Sequence, residues 1–142
     1  MLSEDDNILP AELLLRRILN RGEEIDFTLP RPVQGLAFSP NIHDSDGLSL
    51  FREKFSSPED VARSGRNPRG YYVAQIPASE ILDLGVTLVP DPQTDTLPGH
   101  SLIPELTYSS SKQYKRELRN KLAQLVNKDP KNRIVFHPAN SQ

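Results

Sequence analysis

The chain has 142 residues, 36% of them apolar, no cysteine, and a formal charge of −2. That length can bury one core without covalent staples, and the lack of cysteine excludes disulfides, thiolate metal sites and thiol catalysis. Its 13 prolines argue against long uninterrupted helices and against a large regular sheet.

A cysteine-free chain of this size points to the cytosol. No basic stretch followed by an apolar one opens it, so no signal peptide is expected. Its apolar runs fall far short of the ~20 residues that span a bilayer, so no membrane partner is expected. The charge is unevenly spread: residues 107–142 carry eight Lys/Arg against Glu117 and Asp129, a net of +6, and residues 1–106 carry nine against 17 acids, a net of −8. Such a split suits internal complementarity, an acidic partner or a phosphate backbone.

In chain order, residues 1–9 are expected to fray. Pro10 then suits a first helical position, and Leu13, Leu14, Ile18 and Leu19 fall on one stripe at helical spacing. Arg16, Arg17 and Arg21 favour a helix's negative end, and Gly22 suits its stop, so a helix is predicted over 10–21. Ile25, Phe27 and Leu29 alternate like a short strand, which Pro30 and Pro32 end. Residues 33–38 suggest another strand, 41–47 a polar loop, and 48–51 a strand emerging from it. Ser57-Pro58-Glu59-Asp60 is a strong start for a short middle helix. Residues 71–76 form the clearest strand. A helical turn at 79–82, a strand at 86–89, a loop to Gly99 and an extended segment at 101–106 follow. Ser109-Ser110-Ser111 caps a long helix over 111–127 with Tyr114, Leu118, Leu122 and Leu125 on its core stripe. A strand at 134–136 and a tail at 138–142 close the chain. The expected fold is a single α+β domain over 10–137: a small mixed or antiparallel sheet with an N-terminal helix, a short middle helix and a long C-terminal helix.

Three constellations could carry function. The first is His43, Asp44 and Asp46, with Arg52 after the next strand. Asp44 and Asp46 would share a face of an extended segment, a pairing that suits Mg²⁺ or Ca²⁺. An EF-hand is rejected, because Gly47 comes too early and no Glu stands at position 12. An Asx-type turn ending at Gly47 accounts for the same residues. Arg52 could bind a phosphate or carboxylate with its two-pronged guanidinium, or pair with a buried acid. The second is Leu97-Pro98-Gly99-His100, which places His100 between a turn and a strand. Imidazole suits acid–base work at neutral pH, and equally a structural hydrogen bond. His43, His100 and His137 have no zinc-ligand spacing, so neither a metal nor another cofactor is expected. The third is the ridge of Lys112, Lys115, Arg116 and Arg119 on the C-terminal helix, which suits a nucleic-acid backbone, an acidic partner or plain solvation. A pI near 5.9 and few aromatics weigh against a nucleic-acid domain.

Asp46-Gly47-Leu48-Ser49-Leu50-Phe51-Arg52 resembles a segment of small bacterial proteins of unknown function. Pro98-Gly99-His100-Ser101-Leu102-Ile103 resembles their Pro-x-His-x-x-Ile stretch, and Pro90-Asp91-Pro92 lies between the two in similar order. The resemblance spans about residues 33–126 and brings no activity with it. It implies that Asp46, Ser49, Arg52 and His100 belong to one site.

The leading functional expectation is a binding or adaptor module for another protein. The alternative is a small enzyme on a phosphorylated or nucleotide-like substrate, with Arg52 holding the anion, His100 as acid or base and Asp46 orienting it. Nucleic-acid binding through the basic helix is the third. Oligomeric state is not legible.

Overall fold

The computed structural model describes residues 3–41 and 44–139. Its centre is a six-stranded antiparallel sheet of β1 (Leu13–Leu19), β2 (Leu48–Arg52), β3 (Tyr71–Pro77), β4 (Val89–Pro90), β5 (His100–Ile103) and β6 (Ile134–Phe136). The strand order is β4-β5-β2-β1-β3-β6.

The helix expected over 10–21 is therefore a strand. β1 is flanked by β2 and β3 and covered on both faces. Leu14 and Ile18 enter the larger hydrophobic cluster, while Leu15 enters the smaller one on the opposite face. A strand buried on both faces shows an apolar run instead of strict alternation, and such a run matches helical spacing as well. Burial then overrides the helix preference of leucine. β1 pairs with β3 through seven residues, from Leu13↔Pro77 to Leu19↔Tyr71, but with β2 only through Leu14↔Arg52 and Leu15↔Phe51. Beyond Leu15 the ladder to β2 stops, and Arg16 Nη1 donates to Ser49 O instead (3.0 Å).

The larger face is closed by the helix Lys112–Asn127 and by a 3-10 turn, Gly35–Phe38. Ser111 caps the helix, its hydroxyl accepting from the Tyr114 N–H, and Leu118, Leu122, Leu125 and Val126 are buried beneath it. Tyr114, expected on that stripe, is 40% exposed. The smaller face is covered by the short helix Pro58–Arg63, whose cap Ser57 accepts from the Asp60 N–H. Two further helical turns follow: Ala78–Leu82 lies between β3 and β4, and Pro130–Arg133 leads from the long helix into β6.

The strands expected near 25–29 and 33–38 reduce to one bridge, Ile25↔Val33, followed by the 3-10 turn. Pro30 and Pro32 lack the N–H groups a longer ladder needs. The strand expected at 86–89 is only Val89–Pro90, and the extended segment at 101–106 is the strand His100–Ile103, which ends before Pro104. Residues 3–9, expected to fray, are held by β2: Arg52 donates to the carbonyls of Glu4, Asp6 and Asn7. Of the tail, residues 140–142 lie outside the described residues.

Candidate functional site

Arg52 and His100 leave opposite faces of the sheet. Arg52 pairs with Leu14 on the larger-core face. Its neighbour Phe51 is paired with His100, so His100 stands on the other face with Phe51. Arg52 is wholly buried. Nε and Nη2 donate to the two carboxylate oxygens of Glu12, each at 2.8 Å. The remaining N–H groups go to the backbone oxygens of Glu4, Asp6 and Asn7. A guanidinium has five N–H groups, and all five are used, so nothing is left to hold a ligand. Burial works to raise the pKa of Glu12. Hydrogen bonds from Arg52 and the Leu9 amide, with the charges of Arg52 and Lys54, outweigh it and hold the carboxyl below the usual glutamate range.

The structure does bring Ser49, His100, Asp44 and Asp46 together. They line a small polar cleft of about 160 Å³ with Asp91 and Gln93. Two glycines put its walls in register. Gly47 has φ +138°, and a Cβ there would sit 2.5 Å from Ile103 O; Gly99 has φ +87° and closely approaches the Arg52 backbone. Each precedes the strand that carries its site residue: Gly47 leads into Ser49, and Gly99 into His100.

His100 is 7% exposed. Its Nδ1 faces two acceptors, Asp91 O at 3.0 Å and Asp91 Oδ2 at 3.1 Å. Neither can donate, so Nδ1 carries a proton. In the neutral ring Nε2 is then a lone-pair acceptor, and it lies 3.1 Å from Ser49 Oγ. The hydroxyl therefore donates to the imidazole. Phe51 packs against the ring edge-on at 5.5 Å. The acid that orients His100 is thus Asp91, with Asp46 lining the cleft. Asp44 Oδ2 accepts from the Asn41 N–H at 2.8 Å, three residues upstream, which is not the Asx-type turn ending at Gly47 that the sequence suggested. His43 lies outside the described residues.

A groove of about 440 Å³ shares Ser49 and Asp44 with this cleft and is otherwise walled by Arg16, Arg17, Arg21 and Tyr71, among others. Arg21 is paired with Glu24 at 2.8 Å. Arg16 donates to Ala37 O, Ser49 O and Ser39 O. Arg17 donates to the Ser64 hydroxyl and lies over the rings of Phe51 and Tyr71, at 5.9 and 5.6 Å. Both guanidiniums are half-buried, and neither has a carboxylate within 4.0 Å among the described residues. Burial pushes Arg16 down to about 10; Asp44 and Glu24 oppose that shift, and Arg17's like charge adds to it. Arg17 is lowered by burial too. The sequence reading assigned these arginines to a helix end and so missed them as site residues. The available signal was an Arg-Arg pair inside an apolar run: the two side chains leave opposite faces of β1, and both border the groove where β1 runs past its ladder to β2.

The basic ridge is partly spent within the chain. Lys115 Nζ donates to Tyr108 O at 2.7 Å and stacks on that ring, and Arg119 Nη1 donates to the Ser39 hydroxyl at 3.2 Å. Lys112 and Arg116 are exposed. Among the described residues no group of three or more His, Asp or Glu side chains is arranged to hold a metal ion, and no helix is long and apolar enough to cross a membrane. Comparison with protein families, with curated proteins and with solved structures finds no match for this chain.

Proposed function

We propose that this protein is a cytosolic binding module for a phosphorylated ligand, held in the groove by Arg16 and Arg17. One observation carries the reading: two neighbouring half-buried guanidiniums line an open groove with no carboxylate bonded to either among the described residues. Buried charges are normally paired, and a guanidinium fork matches phosphate oxygens. Tyr71 lines the same groove with its ring under the Arg17 guanidinium at 5.6 Å, and the phosphate fits a nucleotide-like ligand or a phosphorylated side chain of a partner protein. The anion-holding role expected of Arg52 passes to Arg16 and Arg17. The cytosolic setting rests on the cysteine-free sequence.

Titration calorimetry with pyrophosphate tests the reading. Saturable binding is expected in the wild type. Arg17→Ala should weaken it about 10-fold or more, the scale of one charged hydrogen bond, and Arg17→Lys should not restore it fully, because an ammonium lacks the planar fork. Equal affinity in wild type and Arg17→Ala, or no binding at all, contradicts the proposal.

A further inference from the structure

We propose that Ser49, His100 and Asp91 form a nucleophilic relay that cleaves an ester bond in a ligand lying across the cleft and the groove. That the substrate is anionic rests on the reading of the groove above; the relay itself does not.

The relay stands on direction as well as distance. Asp91 offers His100 two acceptors and no donor, so the neutral ring carries its proton on Nδ1 and its lone pair on Nε2. That lone pair meets the Ser49 hydroxyl at 3.1 Å, the reach a general base needs. The same order of hydroxyl, imidazole and carboxylate recurs on unrelated folds and is recognised by geometry, not by sequence position. The hydroxyl is also placed for access. Ser49 borders both the cleft and the groove, where a serine serving only as a cross-strand link could equally lie under a covering helix.

In the reaction, Ser49 Oγ bonds to the acyl carbon as its proton passes to His100 Nε2. The bond from that carbon to the leaving oxygen breaks, and the alkoxide takes the proton from His100. Water then attacks the acyl-serine, giving one proton to His100 and thence to Ser49 Oγ, and the carboxylic acid departs. No oxidant, reductant or cofactor is consumed. Ser49 and His100 are the catalytic residues, and Asp91 is a positioning residue.

A fluorophosphonate probe tests the relay on the full chain, because it reacts with an activated serine by losing fluoride and needs no anion site. Peptide mass spectrometry should place the adduct on Ser49 in the folded wild type and find none in urea. Ser49→Ala should abolish that adduct, and His100→Gln should slow it about 100-fold, the contribution of a positioned base. Asp91→Ala should slow labelling and Asp91→Glu should recover part of the rate. Wild-type protein alone can overturn the proposal, by giving no Ser49 adduct or one that forms as fast in urea. Equal rates in folded His100→Gln also overturn it, and a wild-type rate in Asp91→Ala overturns the three-membered relay. Pyrophosphate binding that persists without Ser49 labelling removes the relay and leaves the groove; labelling without pyrophosphate binding does the reverse.

Discussion

Replacing Arg52 with alanine is expected to destabilise the fold by about 3–5 kcal/mol, the cost of breaking a buried ion pair on one side. The substitution leaves the Glu12 carboxylate, only 8% exposed, with Lys54 at 3.4 Å as its remaining cation, and removes the donors that hold the backbone of residues 4–7. Urea unfolding followed by circular dichroism measures the loss. The double variant Glu12→Leu with Arg52→Met should recover much of it, because a buried pair replaced by apolar groups no longer leaves a lone charge. A loss under about 1 kcal/mol for Arg52→Ala would mark an exposed pair and would refute the buried-anchor role.

The pH dependence of stability follows from the same pair. Glu12 has a folded pKa below the ordinary glutamate value of 4.5. A depressed carboxylate contributes stability that is fully present above its unfolded pKa and is lost as pH falls through the folded one. Glu80, held down to about 2 chiefly by its hydrogen bond from Arg133, contributes with the same sign between 4.5 and about 2. The melting temperature should therefore fall as pH drops below about 4.5, and less steeply in the Glu12→Leu, Arg52→Met variant. Equal slopes in the two proteins would remove Glu12 from the explanation.

Gly47→Ala should cost about 2–4 kcal/mol, from overpacking together with a backbone conformation that side chains rarely adopt. The new Cβ would meet Ile103 O at 2.5 Å and Pro104 Cα at 2.8 Å. Backbone atoms, unlike the end of a flexible side chain, cannot swing aside. Relief requires β2 to part from β5, the pairing that sets Ser49 against His100. A variant population that stays folded in mild conditions should thus lose the Ser49–His100 hydrogen bond, read from imidazole ¹⁵N shifts. A melting temperature and imidazole spectrum unchanged from wild type would contradict this.

What the sequence made legible follows from how local each signal is. The caps at Ser57 and Ser111 are written in adjacent residues, and both helices begin where those serines place them. β3 likewise carries its β-branched and aromatic residues in one run. β1 was illegible because its burial on two faces is set by β2 and β3, tens of residues away. Arg52 offered two readings, a ligand-binding fork or a buried pair; its partner Glu12 stands 40 residues upstream, and only the fold reveals it. The cleft was half legible. Ser49 and His100 each sit just after a turn glycine, and they do meet, but the carboxylate on the imidazole is Asp91, from the loop after β4, and Asp46 only borders the cleft. Arg16 and Arg17 became visible as a site only once their segment was known to be a strand that parts from β2.

Arginine side-chain ¹H–¹⁵N spectra recorded through a pyrophosphate titration test the groove most directly, since each Nε–H reports its own guanidinium. Saturable shifts at Arg16 and Arg17 with an unmoved Arg52 signal are expected. Silence at both groove arginines, or a response centred on Arg52, would show that the anion is held elsewhere and would contradict the assignment.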